Sequence, residues 1–177
     1  MRAMTHEIRR KIQVCRKNQS DISHLIKDVI IKGEDLSGTI IINFDRLNED
    51  ISSCNLSKCI IGEKGKITNL SGSILKGCCF LEAQFLGIVY LRHCDCRNCN
   101  FRGCFMPFAE YQYSDFRGSH FCSTTVRLGS IEGLKAKFSP DFHNLLLRTW
   151  DVDLDAMIEE IKKVKIQGRL WEKRKEE

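Results

Sequence analysis

A five-residue period is the feature of this 177-residue chain that most restricts its fold. From residue 94 to residue 133 the sequence reads CDCRN CNFRG CFMPF AEYQY SDFRG SHFCS TTVRL GSIEG. In every five the third residue is apolar or aromatic and the first is small. Neither the 3.6-residue period of an α-helix nor the two-residue period of a strand explains this pattern. The chain must therefore turn at short, regular intervals.

The small and the large residue of each five lie two positions apart, so both side chains point the same way in extended backbone. Because five is an odd number, the next large residue would point the opposite way if the chain stayed extended. A corner must therefore lie between successive fives. Glycine and short polar residues favour such corners, as at Asp95, Asn100, Gly103 and Gly118.

The fives CNFRG (99–103) and SDFRG (114–118) resemble the motif of the pentapeptide-repeat family, which is a small residue, Asp or Asn, Leu or Phe, and two variable residues. The resemblance implies an all-β solenoid, namely a right-handed quadrilateral β-helix with four fives, or about twenty residues, per coil. The period by itself also allows other closed windings.

The fives extend upstream to about Val29, which predicts a β-helix of about five coils over residues 29–138. Two interruptions cancel each other: residues 64–67 (KGKI) are one short of a five, and His93 is one residue extra. Arg46 occupies a large inward position. Because an unpaired buried charge is costly, we expect Leu47 to turn inward in its place.

Aligning positions one coil apart sorts the predicted core into four columns. The predicted columns are Leu36, Leu56, Leu75, Cys96 and Phe116; Ile41, Ile61, Phe80, Phe101 and Phe121; Phe85, Met106 and Val126; and Ile51, Leu70, Tyr90, Tyr111 and Ile131. The same alignment stacks Cys59, Cys78 and Cys99 as small core residues.

Ten cysteines raise the alternative of a metal or redox sensor, because residues 94–104 have zinc-like spacing. The repeat places Cys94, Cys99 and Cys104 on successive sides, where they should not converge. The sequence contains no GxSxG, HExxH or glycine-rich phosphate loop. We therefore predict a non-enzymatic protein without metal or cofactor, and the sensor stays an alternative.

Two candidate partner surfaces follow from the predicted coils. The first is a cationic column, Lys76, Arg97, Arg117 and Lys137, which would either bind an acidic partner or neutralise itself in a salt-bridge lattice. Asp95 and Asp115 lie beside it and favour the lattice. The second is an outward apolar patch that some other segment should cover, formed by Leu86, Phe105, Pro107, Phe108 and Leu128.

The two ends of the chain have helical patterns. Residues 1–28 form a basic amphipathic segment that we interpret as an N-terminal helical cap, in preference to a nucleic-acid or membrane contact. Residues 139–177 predict C-terminal α-helices that cap the rod or form a homodimer through residues 140–171, followed by a charged tail. Their apolar stripe is Leu154, Met157, Ile158, Ile161 and Val164. No segment resembles a membrane span or a signal peptide, so we expect a cytoplasmic protein without membrane contact.

The family resemblance also suggests a function. Its best-understood members, the Qnr-type proteins, are acidic dimers that imitate DNA and occupy type II topoisomerases. This chain departs from them: residues 34–137 carry 12 Lys and Arg against 11 Asp and Glu, and a DNA mimic needs a dense negative field. We therefore predict a protein-binding solenoid that makes no direct nucleic-acid contact. Modulation of DNA gyrase or topoisomerase IV is the leading alternative.

Overall fold

The computed structural model describes residues 1–106, 109–121, 125–126 and 135–139, all within one compact unit, Met1–Ser139. Short elements follow one another along this part of the chain. The helices and strands are α1 (His6–Asn18), α2 (Ser23–Ile26), β1 (Ile40–Ile41), β2 (Ile60–Ile61), β3 (Ile67–Asn69), β4 (Gln84–Phe85), β5 (Ile88–Tyr90), β6 (Phe105–Met106), β7 (Ala109–Glu110) and β8 (Thr125–Val126).

Helix α1 begins at an N-cap and ends at a left-handed residue. The hydroxyl of Thr5 accepts a hydrogen bond from the Ile8 N–H at 3.3 Å, and Gln19 ends the helix with φ 53°. Ile8 and Ile12 are buried in the hydrophobic core, because their spacing puts them on one face of the helix. Its role as a cap stays a prediction. In the described residues, neither helix is long and apolar enough to cross a membrane.

All pairs among the eight described strands are parallel. One sheet has the order β1-β2-β4-β6-β8 and another has the order β3-β5-β7. Isolated parallel bridges form two further ladders, which run through Asp35, Asn55, Cys79, Asn100 and His120, and through Asp50, Ile74, Asp95, Asp115 and Lys137. The chain therefore winds in one direction and returns to each ladder after about twenty residues, as five-residue units require.

The core consists of the small and large inward residues of successive fives. The Phe101 ring stacks between those of Phe80 and Phe121, with centroid distances of 5.0 and 5.1 Å. Phe116 packs edge-on against Phe101 at 6.0 Å. Phe80, Phe101 and Phe116 are fully buried and Phe121 is half-buried. Cys59, Cys78 and Cys99 are also buried.

The predicted register is wrong at residues 62–67. Ile60 pairs with Gln84, which is 24 residues further on, so this segment contains four extra residues and is not a five that lacks one. An insertion of four residues and a deletion of one differ by five residues, which is one whole repeat. Both therefore leave the later fives in the same reading frame. Each residue before this segment consequently stacks on the side of the coil next to the predicted one. Leu56, for example, aligns with Phe80 and not with Leu75. The ladders align Leu36, Leu56, Phe80, Phe101 and Phe121; Ile41, Ile61, Phe85, Met106 and Val126; Ile51, Leu75, Cys96, Phe116 and Phe138; and Arg46, Leu70, Leu91 and Tyr111.

The cysteine column changes with this shift. The Cys79 N–H donates to the Cys54 carbonyl at 3.0 Å, and the Asn100 N–H donates to the Cys78 carbonyl at 2.9 Å. Cys78 and Cys99 therefore follow Cys54 rather than the predicted Cys59. Cys59 belongs to the next side of the coil, the one that carries β4, where its carbonyl accepts a hydrogen bond from the Gln84 N–H at 2.8 Å.

The second interruption lies at Gly87 rather than at His93. Val89 and Leu91 are buried, whereas Tyr90 is partly exposed, so the predicted inward Tyr90 is wrong. Gly87 passes so close to the loop at residues 62–67 that a Cβ on it would lie 2.2 Å from the Lys66 carbonyl oxygen. Gln84 pairs with Phe105, 21 residues further on, whereas Val89 pairs with Ala109, 20 residues further on, so the extra residue lies between Gln84 and Val89.

The expectation for Arg46 and Leu47 is also wrong. Leu47 is 53% exposed, and Arg46 is only 4% exposed because its guanidinium has partners inside the core. Nη1 donates to the Val29 carbonyl at 3.1 Å, and Nη2 donates to the Ile26 carbonyl at 2.6 Å. The charge pairs with the carboxylate of Glu49. A buried arginine is stable here because its charge and donors are satisfied.

Candidate functional site

The two arginines of the predicted cationic column are neutralised within their own fives. Arg97 donates from Nε and Nη2 to the two oxygens of Asp95 at 2.8 and 2.7 Å. Arg117 makes the same paired contact with Asp115, at 2.9 and 2.5 Å. These bonds lower the pKa of both aspartates below its usual range. Each contact stays within one five and does not cross to the next coil, so these pairs neutralise the arginines without forming the predicted lattice.

Of the two predicted lysines, Lys76 stays in register with Arg97, since the Gly77 N–H donates to the Arg97 carbonyl at 2.9 Å, whereas Lys137 does not stay in the column. Lys76 has an apolar residue, Ile74, at the position that the aspartates occupy in the next coils. Lys137 pairs with Asp115 in the ladder and so does not lie above Arg117 as predicted. The reason is coil length: 22 residues separate Asp115 from Lys137, whereas 20 separate Asp95 from Asp115.

The predicted apolar patch is described only in part. Leu86 and Phe105 are both half-buried, and Phe105 lies opposite Gln84 in the ladder. Pro107, Phe108 and Leu128 lie outside the described residues. So does the predicted apolar stripe of the C-terminal helix, which comprises Leu154, Met157, Ile158, Ile161 and Val164.

An exposed surface that the sequence pattern does not predict consists of aromatic rings with cations beside them. The rings of His93 and Tyr113 stack in parallel, with centroids 4.9 Å apart, and the ammonium of Lys135 lies 5.5 Å from the Tyr113 centroid. Beside them, the guanidinium carbon of Arg92 lies 4.5 Å from the Tyr90 ring centroid. We call this surface the aromatic face and define it as Tyr90, Arg92, His93, Glu110, Tyr113 and Lys135.

The corners of successive coils position the two stacked rings. His93 and Tyr113 have left-handed backbone, with φ 56° and 60°. The His93 N–H donates to the Gln112 carbonyl at 2.9 Å, which keeps the two corners in register. Such backbone is uncommon for a large aromatic residue, and equivalent corners project their side chains next to each other. The separation of His93 and Tyr113 by twenty residues, one full coil, is the sequence signal for this stack, and counting His93 as an extra residue conceals it.

An ion pair orders the remaining part of the aromatic face. Tyr90 pairs with Glu110 in the ladder, and the Glu110 carboxylate accepts a hydrogen bond from Arg92. The same guanidinium packs on the Tyr90 ring, so a salt bridge and a cation–π contact hold one side chain. Tyr113 is 53% exposed despite its stacking partner. The face thus presents ordered aromatic surface to solvent.

The cysteines of the described part are engaged in packing and backbone hydrogen bonds. The thiols of Cys59, Cys78 and Cys99 each donate to a backbone carbonyl at 3.0 Å. Burial raises the pKa of Cys78 and of Cys104 to about 12, which keeps them as unreactive thiols. Within the described residues, nine cysteines are free and no group of three His, Cys, Asp or Glu side chains could hold a metal.

Five-residue units, stacked through parallel ladders with their first and third side chains inward, define a parallel β repeat protein. With the motifs SDFRG and CNFRG, its repeats resemble those of the pentapeptide-repeat proteins.

Comparisons with known proteins give the following likenesses. No family model and no curated protein matches this chain. Among solved structures it is similar to a pentapeptide repeat protein from Nostoc Pcc 7120, at 14% identity over 78% of this chain and 98% of that one, with a TM-score of 0.27. It is also similar to QnrB1, a plasmid-mediated fluoroquinolone resistance protein, at 19% identity over 77% and 86% with a TM-score of 0.30. It is similar as well to a pentapeptide repeat protein of the Arabidopsis thaliana thylakoid lumen, at 18% identity over 58% of this chain and 70% of that one, with a TM-score of 0.22.

Proposed function

We propose that this protein is a non-enzymatic, right-handed quadrilateral β-helix that binds another protein through the aromatic face. The observation that carries the proposal is the exposed His93–Tyr113 stack next to the Tyr90–Arg92 pair. Tyrosine and arginine are enriched in protein interfaces and among the residues that contribute most to binding free energy. Parallel coils present these side chains from a rigid backbone, which suits a binding surface.

The order within the aromatic face favours tight binding. A side chain that is held before association loses less conformational entropy when the partner arrives. The Tyr113 ring is held by His93, and the Arg92 guanidinium is held by both Tyr90 and Glu110. Each of these side chains still has solvent-exposed surface that a partner can cover.

The charges of the described surface favour this function over imitation of DNA. A DNA mimic requires closely spaced negative charges that are not neutralised. Asp95 and Asp115 are each neutralised by an arginine, and cations lie on the aromatic face. DNA gyrase or topoisomerase IV is therefore the alternative partner, to be tested by adding the purified protein to a supercoiling assay. Protection or inhibition of the topoisomerase would favour that alternative.

Affinity capture followed by reconstitution tests the proposed interface. The bait proteins are the wild type, the double variant His93→Ser/Tyr113→Ser, and the matched control Ile30→Ser/Ile42→Ser, which removes exposed apolar surface elsewhere. A partner recovered from host lysate is purified and titrated against each bait by calorimetry. We expect the aromatic-face variant to bind at least about tenfold more weakly and the control to bind like the wild type.

Two outcomes would count against the proposed interface. One is equal affinity of the partner for the wild type and the aromatic-face variant, when both melt at the same temperature. The other is a ligand that nuclease treatment removes, which would indicate single-stranded nucleic acid stacking on the rings. The homodimer through residues 140–171 stays a separate prediction, and multi-angle light scattering of the full chain tests it.

A further inference from the structure

A groove on the N-terminal helices forms a second surface, separate from the aromatic face. Helix α1 contributes His6, Arg10 and Val14, and α2 contributes His24 and Leu25. A neighbouring groove shares His24 and Leu25 and extends towards Arg2, Thr5 and Ile8. We call the two together the basic groove.

Ion pairs on both edges of α1 fix which face of the helix lines the basic groove. Arg9 donates from Nε and Nη2 to the Glu34 carboxylate at 2.9 and 2.6 Å. Arg16 donates to the Asp35 carbonyl at 3.0 Å, and its guanidinium lies 3.4 Å from the Asp35 carboxylate. With Ile8 and Ile12 buried in the core, the opposite face of α1 is directed to solvent.

The cations around the basic groove exceed its anions. Residues 1–33 carry eight Lys and Arg against three Asp and Glu. Some of these cations are already neutralised, as in the 2.6 Å pair of Lys11 with Glu7. Within the described part of the chain, four others are exposed and have no ion pair, namely Arg2, Arg10, Lys17 and Lys27. Arg2 and Arg10 line the groove, and Lys17 lies about one helical turn beyond Val14 on α1. The groove therefore has a positive charge that a ligand can neutralise.

The groove also has apolar surface among these charges. Val14 is 54% exposed although it lies on the same outward face as Arg10 and Lys17, and Leu25 is half-buried beside it. A phosphate backbone gains nothing from aliphatic surface. A polypeptide that has both carboxylates and an aliphatic side chain matches both features.

We propose that the basic groove binds an acidic segment of a protein partner, with an aliphatic side chain of that segment on Val14 and Leu25. Carboxylates on either side of it pair with Arg10 and Lys17, which lie about two helical turns apart on α1. The positive charge accelerates the encounter, and the apolar contact distinguishes the segment from other polyanions.

A peptide titration tests the basic groove independently of the aromatic face. The probe is a fluorescein-labelled peptide in which pairs of glutamates alternate with leucines, titrated with the full chain and followed by fluorescence anisotropy. The double charge reversal Arg10→Glu/Lys17→Glu should weaken binding at least about tenfold, and Val14→Ser should weaken it about threefold. The matched reversal of exposed cations on the coils, Lys58→Glu/Arg102→Glu, should leave the affinity unchanged.

Three results would overturn the inference, provided that all variants keep the wild-type melting temperature. They are equal affinity for a peptide with glutamine in place of glutamate, tighter binding of a duplex DNA of about 20 base pairs, and no binding at about 1 mM protein. The variant His93→Ser/Tyr113→Ser should bind the peptide like the wild type. If the aromatic face does not bind a protein, the basic groove can still bind the acidic peptide. If the basic groove does not bind the peptide, the aromatic-face proposal is unaffected.

Discussion

The guanidinium of Arg46 is buried in the core of the five-residue repeats, with Nη1 3.0 Å from a carboxylate oxygen of Glu49. The same group donates to the carbonyls of Ile26 and Val29, which belong to the segment that follows α1. It also lies 5.7 Å from the ring centroid of Phe44. One side chain thus joins the first coils to the N-terminal segment.

Replacement of Arg46 by alanine should destabilise the fold by about 3 kcal/mol, because it removes a buried side chain and leaves the partly buried Glu49 and two buried carbonyls without their donor. Glu49 and the carbonyls of Ile26 and Val29 would all lose their donor. Urea unfolding measures the change in the free energy of unfolding. Leu47→Ala is the control and should change it by less than about 0.5 kcal/mol, since Leu47 is exposed. A loss below about 1 kcal/mol for Arg46→Ala would mean that the pair is not formed inside the core.

Gly87→Ala should also be strongly destabilising, although Gly87 does not have left-handed backbone. The new Cβ would lie 2.2 Å from the Lys66 carbonyl oxygen and 2.6 Å from that of Glu63, so backbone must move. We expect a loss of about 2 kcal/mol or more, with faster amide exchange in the loop at residues 62–67. Gly77→Asn is the matched control, because asparagine tolerates left-handed backbone and Gly77 has space for a side chain. Equal stability of the two variants would show that Gly87 is not in contact with the loop.

The carboxyl group of Asp50 should titrate at unusually low pH. Hydrogen bonds from Lys32 and then from Ser52 lower its pKa to about 2. A carboxyl whose pKa is lower in the folded state stabilises the fold above its unfolded pKa of about 3.9, and this contribution is lost as the pH falls towards 2. Both charged partners are partly exposed, so the contribution should stay below about 1 kcal/mol.

Carboxyl carbon chemical shifts recorded against pH measure the Asp50 titration directly. Lys32→Met should raise the midpoint towards the ordinary value for aspartate, because it removes the largest cause of the shift. Lys58→Met alters a distant cation and should leave the Asp50 midpoint where it is. A wild-type midpoint already at the ordinary value would contradict the Lys32 hydrogen bond.

Thiol reactivity should separate the core cysteines from the partly exposed ones. Burial raises the pKa of Cys78 and Cys104, and it also raises the pKa of Cys99, so few thiolates form at pH 8. Cys15 and Cys79 are half-buried and should react with iodoacetamide first. Peptide mass spectrometry reads each site separately, and protein denatured in urea shows the full labelling. If Cys78 were labelled in the native protein as fast as Cys15, its place in the core would be wrong.

The sequence predicted most of the core but not the surface that we propose for binding. The inward positions at Phe80, Phe101 and Phe116 follow from the local pattern, since a small and a large residue two apart must share a side. The aromatic face does not follow from the predicted columns, because they place Tyr90 in the core and His93 in an insertion. Moving the extra residue from His93 to Gly87 turns Tyr90 outward and brings His93 into register with Tyr113.

By itself, the sequence determined the five-residue period, the two inward positions of each five, and the repeated winding that they require, because these depend on the sterics of neighbouring residues. Only the tertiary structure decided which coil lies next to which. An insertion of four residues and a deletion of one leave the same five-residue frame, so hydrogen bonds between coils, such as Ile60 with Gln84, had to distinguish them. The same holds for Arg46, whose burial depends on carbonyls some twenty residues away in the chain.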